Sequence, residues 1–231
     1  YEALVPALVA SFVGNAVVRG LGVNYTKYPQ IIDVKWSPTI AWQVALFGLL
    51  AGIIALVFVR ITLFIRGAMK KYVAWYPARP LIGGILLAIL IGACGWRDYQ
   101  GFSFPLMLEA MNGVTSGHFE VKLFLTALTI GTGFVGGEVI PLLATGAMAG
   151  ATFANLIGAN VAVFAIVGSV AVLAGAANTP LACTFIGIEL FGGNGAILFA
   201  LACVAAYATS GHTGIYHAQK IVVHKSGEAI T

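Results

Sequence analysis

The chain has 231 residues, of which 60% are hydrophobic and 9% are charged, and its net charge is +4. Soluble globular domains carry roughly 25% charged residues, and the mean hydropathy here is +0.96. The composition therefore excludes a cytosolic enzyme, a disordered chain and a secreted disulfide scaffold, and it predicts an integral membrane protein.

The length predicts one transmembrane domain over residues 1–231. A helical span needs about 20 residues, which leaves room for roughly eight segments. We expect an all-α domain with tilted, unequal and broken helices. The cysteines stand alone in apolar runs without metal-ligand spacing, so we expect no metal, no cofactor and three small core residues, namely Cys94, Cys183 and Cys203.

Two long helices are predicted first. One covers residues 3–20, and a polar loop follows it, with Asn24, Lys27, Asp33 and Lys35. Ser37 and Pro38 have the pattern of an N-cap followed by a first-turn proline, which starts a helix over 39–70. Gly48 and Gly52 form a GxxxG face on this second helix, which permits close packing.

The helices become shorter after a third crossing at 80–96. The later segments are predicted at 102–113, 118–131, 139–157, 161–175, 180–192, 195–209 and 212–225, and several are too short to span a bilayer. Glycine-rich breaks separate some of them. Non-helical backbone at membrane depth is tolerated where it is buried in protein or lines a cavity, and transporters use broken helices to direct backbone dipoles at ions.

The basic residues indicate orientation. Five of the 12 cations fall in one part of the chain, namely Arg60, Arg66, Lys70, Lys71 and Arg79. This is the positive-inside pattern, so the base excess does not indicate a nucleic-acid partner. Lys220 and Lys225 predict a cytoplasmic C-terminus on the same side of a cell membrane. Because the chain opens with Tyr1 rather than Met, we expect sequence upstream of it.

The most informative motif runs from Gly131 to Pro141, with the sequence GTGFVGGEVIP. Glycines free the backbone, and proline fits the first turn of a helix, where its missing N–H costs nothing. The helix that follows carries a second GxxxG at Gly146 and Gly150. Its N-terminus presents unpaired N–H groups and partial positive charge, which suit a small anion. The alternative interpretation is a glycine hinge between packed helices.

Glu138 lies at this helix N-terminus. An ionisable residue inside a membrane is a functional candidate because burial is costly. The alternative is that Glu138 only caps its own helix.

Other polar residues give weaker signals. Asn178-Thr179-Pro180 has the pattern of a cap before a helix, and Glu189 is best explained by a structural role. Tyr216 could donate its hydroxyl to an anion, or it could be an aromatic-belt residue. An intramembrane hydrolase would depend on Ser210 and His212, a weak signal at this spacing, and a non-transporting fragment is another alternative.

The motif at Gly136–Pro141 resembles the third anion-site motif, GxFxP, of the CLC family of chloride channels and anion/proton antiporters. The resemblance continues through residues 174–184, 188–190 and 210–216 and covers most of the chain. It implies a CLC-like fold in which this chain is the C-terminal half, because the family's first two anion-site motifs and its gating glutamate belong to the N-terminal half.

Glu138 departs from the chloride-type pattern and resembles the fluoride-exporting branch. Fluoride is small and strongly hydrated, so removing its water requires dense hydrogen-bond donors, and a carboxylic acid can serve as donor and proton carrier. The first expectation is therefore fluoride export by fluoride/proton antiport. Chloride/proton antiport or a chloride channel is the alternative.

The resemblance also implies an anion site and a homodimer. The site residues are Gly137, Glu138, Val139, Ile140 and Tyr216, with the Tyr216 hydroxyl and the helix N-terminus meeting at one buried point. The dimer face would be formed by the helices at 3–20, 180–192 and 195–209. The expected partners are fluoride or chloride, protons, the lipid bilayer, a second copy and the missing N-terminal half.

Overall fold

The structure, a computed structural model, describes residues 3–23, 28–31, 37–115 and 117–216. The polar loop residues Asn24, Lys27, Asp33 and Lys35 and the C-terminal lysines lie outside this part of the chain. The described residues form helices and no strand. The helices are α1 Leu4–Gly20, α2 Pro38–Tyr72, α3 Ala78–Cys94, α4 Phe104–Met111, α5 Phe119–Gly131, α6 Val139–Ile157, α7 Val161–Ala177, α8 Pro180–Phe191 and α9 Ala196–Thr209, with short 3-10 turns at Arg97–Tyr99 and Gly193–Gly195. The all-α prediction is confirmed.

Local sequence signals explain where α2 and α7 begin. The Ser37 hydroxyl accepts a hydrogen bond from the Ile40 amide at 3.2 Å, and Pro38 occupies the first turn. Asn160 caps α7 in the same way, because its Oδ1 accepts from the Val163 amide. Both caps satisfy an amide that has no partner within the helix.

Helix α7 is the centre of the structure. Every residue from Val163 to Ala177 is buried, and α2, α6, α8 and α9 pack around it. A helix that is apolar on all sides must be enclosed by protein or lipid, and α7 is enclosed by protein. Helix α1 has no buried residue at all, so its apolar surface is left open in this chain.

Length and composition allow only some helices to cross a bilayer. Among the described residues, α2 with 35 residues and α6 with 19 residues are long and apolar enough to do so. Five further apolar helices are shorter. This is the mixture of long and short helices expected from the sequence.

Small residues bring α6 against α7. A methyl group at Gly146 would collide with the Gly168 carbonyl, and one at Gly150 would collide with the Phe164 carbonyl. The predicted GxxxG face of α2 makes the same kind of contact with α9, where Gly48 and Gly52 lie against backbone carbonyls. In a membrane such contacts stabilise by packing rather than by the hydrophobic effect.

Two expectations are corrected by the structure. The helix predicted over 212–225 is not helical at 212–216, and the remainder lies outside the described residues. Gly211 has φ +75°, which turns the chain after α9, and the Ile215 amide bonds the Ala176 carbonyl at 2.9 Å instead of a helical partner. Cys94 is exposed at the end of α3 rather than a core residue, whereas the other two cysteines are buried.

Replacing Gly150 by Ala tests the α6–α7 contact. The added methyl meets fixed backbone of α7, so G150A should lower the stability of the intact protein in detergent by about 1–3 kcal/mol. Gly92→Ala is the matched control, because nothing lies within 4 Å of a Cβ at that helical position. Thermal unfolding measures both, and equal melting temperatures would show that α6 and α7 can separate freely.

Candidate functional site

The backbone between α5 and α6 is open and rich in glycine. Gly133 has φ +102°, which turns the chain, and the segment from Phe134 to Gly137 is exposed, with Val135 at 97%. The first amide of α6 that forms a helical bond is that of Leu142, to the Glu138 carbonyl. The amides before it belong to the unpaired first turn of a helix.

The Glu138 side chain does not cap α6. Glu138 is the N-cap residue, but its carboxylate accepts no hydrogen bond from the first turn. Within the described residues, its buried Oε2 has no hydrogen-bond partner. The alternative in which Glu138 serves only as a helix cap is therefore wrong for this structure, and a buried carboxyl oxygen is left available for another group. An oxygen in that situation is costly unless it takes a proton or a ligand.

A small cavity lies beside the Glu138 carboxyl. Its volume is about 10 Å³, which is room for one particle of the size of water. Helix α2 supplies one wall, and the segment after α9 supplies the other. The lining residues are Val59, Thr62, Leu63, Arg66, Glu138, Gly214 and Ile215.

The sequence places Arg66 only in the basic cluster, but the structure brings it to the cavity that Glu138 lines. Its positive charge acts on the Glu138 carboxyl, and both residues line the small cavity. Thr62 is buried, and its hydroxyl donates to the Phe58 carbonyl at 2.9 Å. Arg66 follows Thr62 by four positions, so the two share a helix face. The four-residue spacing is visible in the sequence. Only the packing of α2 against Glu138 shows that this helix face lines the cavity.

The predicted Tyr216 stands next to this cavity in the chain. Gly214 and Ile215 line the cavity, while Tyr216 is 50% exposed. Val139 is 36% exposed, so this chain fully encloses neither Tyr216 nor the start of α6. That the Tyr216 hydroxyl and the amides of Val139 and Ile140 meet at one anion stays a prediction.

The polar residues near 178 and 210 hold the cavity wall in place. Asn178 ends α7 with φ +54°, and its Oδ1 lies 3.3 Å from the Ser210 hydroxyl, which donates to it. The Asn178 amide donates to the His212 carbonyl at 3.5 Å. Thr179 is the N-cap of α8, although its side chain makes no cap hydrogen bond. These contacts join the end of α7 to the segment that carries Gly214 and Ile215.

Comparison with known proteins identifies the class. Residues 1–211 match the voltage gated chloride channel family, and the described fold is the helical fold of that class. The chain belongs to this family, the CLC family, whose members are integral membrane anion channels and transporters and not enzymes. The hydrolase alternative at Ser210 and His212 is therefore wrong.

Individual relatives give closer comparisons. A chloride/fluoride channel protein of Pseudomonas syringae pv. tomato is 37% identical over 96% of this chain and 50% of its own length. An uncharacterised protein of Methanocaldococcus jannaschii is 27% identical over 90% of this chain and 53% of its own length. The chain spans about half the length of these relatives.

Solved structures agree with the fold. The crystal structure of a CLC-type fluoride/proton antiporter superposes with a TM-score of 0.84 and 29% identity, covering 90% of this chain and 53% of that one. A eukaryotic CLC transporter is similar in fold, with a TM-score of 0.59 and 20% identity over 77% of this chain.

Replacing Asn178 tests whether the α7 terminus holds the cavity wall. Both N178A and N178G lose the side-chain bonds, but only alanine must also adopt the left-handed backbone, at about 1–2 kcal/mol. We expect N178A to unfold at a lower temperature than N178G in the intact protein. Equal unfolding temperatures would mean that the chain relaxes out of this conformation without cost.

Proposed function

We propose that the chain is a single transmembrane domain, over 1–231, of an anion transporter that exports fluoride by fluoride/proton antiport. It acts as the C-terminal half of a longer protein. Three observations on one residue carry the proposal: Glu138 has a buried Oε2 without a hydrogen-bond partner among the described residues, it lines a cavity for one water-sized particle, and its carboxylate leaves the first turn of α6 uncapped.

The chemistry of Glu138 connects the anion to the proton. A carboxylate repels an adjacent anion by several kcal/mol where both are poorly solvated, whereas the protonated acid donates a short, strong O–H hydrogen bond to it. Fluoride occupancy and protonation of Glu138 then favour each other, and the coupling is reciprocal. A site with this property moves the two ions together.

Arg66 supplies the positive charge that an anion requires. It lines the same small cavity as Glu138, so an anion there has a guanidinium and the carboxyl as neighbours. Arginine stays charged at every physiological pH. When Glu138 is protonated, Arg66 is the one charged side chain among the described lining residues, and the cavity becomes positive. The Tyr216 hydroxyl is proposed as a further donor, together with the backbone of Gly137, Val139 and Ile140.

The size of the cavity supports fluoride over chloride. Fluoride is close to water in size and chloride is larger, so a space of about 10 Å³ suits the smaller ion. The relatives point in the same direction, since one solved structure is a fluoride/proton antiporter. Chloride/proton antiport or chloride conduction is the second candidate, because the family is that of chloride channels and the Pseudomonas protein is named for both ions.

The arrangement in the membrane is also part of the proposal. The basic end of α2 and the C-terminus are placed on the cytoplasmic side of the cell membrane, following the positive-inside pattern. A homodimer is proposed through α1, α8 and α9. Supporting it, α1 has no buried residue, and α8 and α9 expose Leu181 at 72%, Phe185 at 69% and Ile197 at 63%.

Glu138→Gln in the intact protein tests the transport mechanism. The amide keeps the size and a donor but has no ionisable proton to release or take up. E138Q should fold normally and slow or uncouple proton-driven fluoride movement, recorded with a fluoride electrode and a pH dye in proteoliposomes. Glu109→Gln, at an exposed carboxylate of α4, should leave both signals unchanged. Fluoride flux and proton coupling that survive E138Q intact would reject the role of Glu138 and favour chloride.

Disulfide cross-linking tests the proposed dimer face. Cys94 is exposed, so the background should be C94S, into which Leu181→Cys or Ile197→Cys is introduced. Both variants should form covalent dimers in native membranes after mild oxidation. Phe64→Cys, at an exposed residue of α2, should remain monomeric. Dimers from F64C alone would place the interface elsewhere.

A further inference from the structure

A second, larger cavity adjoins the glycine segment. Its volume is about 310 Å³, and it lies among α3, α5 and the backbone that leads into α6. One end is formed by the turn at Tyr99–Gly101 and by Lys122, and the other end by Gly136 and Gly137. Between them, α5 contributes Thr126 and Thr129. The cavity therefore extends along α5 from a buried cation to the loop that carries Glu138.

Lys122 is the unusual group in this wall. It is 2% exposed, and its ammonium donates to the carbonyl oxygens of Tyr99 at 3.1 Å and Gly101 at 2.5 Å. An ammonium has three N–H groups, and these two hydrogen bonds use two of them. Within the part of the chain that the structure describes, no carboxylate forms an ion pair with Lys122.

Stability alone does not explain this lysine. A buried charge without a counter-ion is costly, and a cation in the first turn of a helix also opposes the helix dipole. Glu120, the carboxylate two residues before Lys122, pairs with His118 Nδ1 at 3.2 Å instead. An anion in the cavity that Lys122 lines would balance this charge.

The cavity offers a second donor for such an anion. Thr126 is 7% exposed and lines the cavity, and a hydroxyl can donate to an anion. The neighbouring Thr129 hydroxyl is already used, since it donates to the Leu125 carbonyl at 2.7 Å. Lys122 and Thr126 are four residues apart on α5, so they lie on one helix face.

We propose that this cavity is a second anion site, in which Lys122 and Thr126 hold a small inorganic anion with part of its hydration shell before the anion reaches Glu138. The role in delivery rests on the proposed function. Lys122 and Ile130, at opposite ends of the lining segment of α5, are about 12 Å apart along the helix axis. Lys122 and Glu138 line different cavities, so an anion at Lys122 is a separate occupant from one at Glu138. A positively charged cleft of this kind raises the local anion concentration.

Chemical modification of a cysteine at position 126 tests the charge of the cavity. In the intact protein with C94S, Thr126→Cys should react faster with a sulfonate-bearing methanethiosulfonate than with its trimethylammonium analogue, by about tenfold or more. Adding Lys122→Met should abolish that preference, and fluoride or chloride should slow the reaction in the lysine-containing protein. Equal rates for the two reagents, or no protection by either halide, would overturn the proposal.

Transport kinetics provide the second measurement. In proteoliposomes, Lys122→Met should raise the fluoride concentration for half-maximal flux by about tenfold while leaving the maximal rate within a factor of about two. Lys122→Arg should keep most of the affinity, and Lys70→Met, in the last turn of α2, should behave as the unaltered protein. An unchanged half-maximal concentration in a folded K122M protein would mean that Lys122 only braces the Tyr99–Gly101 turn.

The two tests separate this proposal from the antiport mechanism. The reagent preference at position 126 depends only on the charge in the cavity, so it persists if E138Q shows that Glu138 carries no proton. Conversely, loss of the preference leaves the result at Glu138 unaffected.

Discussion

The contact between α6 and α7 is the constraint on which the candidate site depends. Two glycines of α6 lie directly against backbone carbonyls of α7, and α7 is itself buried from Val163 to Ala177. In a bilayer the lipid is as apolar as the protein, so helices are held by close packing and not by exclusion of water. Because α6 cannot shift without losing these contacts, its N-terminus and Glu138 are held in position against α2.

Because charged residues are scarce in this chain, the few that line its cavities are functional candidates. The chain has only 9% charged residues, yet Arg66 and Glu138 line one cavity, and Lys122 lines another together with Gly136 and Gly137. Each such group is costly to bury. An anion beside Arg66 is favoured when the Glu138 carboxyl is protonated, and the proposed mechanism joins the two cavities and the glycine loop into one pathway.

Backbone geometry matters as much as side chains at this site. Gly136 and Gly137 bring main chain to the wall of the larger cavity, and the segment after α9 brings Gly214 and Ile215 to the wall of the smaller one. The anchoring of Ile215 on the end of α7 and the left-handed Asn178 give that segment a defined path without a helix. A small, strongly hydrated ion requires this kind of rigid, donor-rich surface.

The sequence by itself determined the membrane class, the all-α fold, nearly every helix from α1 to α9 and both GxxxG faces, and it made Glu138 a candidate site residue. These are local properties: hydropathy, caps, prolines and glycines act within a few residues of where they are read. Only the tertiary structure decided that Glu138 does not cap its helix, that Arg66 belongs beside it, that Lys122 is buried against a turn, and that residues 212–216 are not helical. Those outcomes depend on contacts between residues that are 20 to 80 positions apart in the chain, and the periodicity of one helix carries no information about which neighbour covers its face.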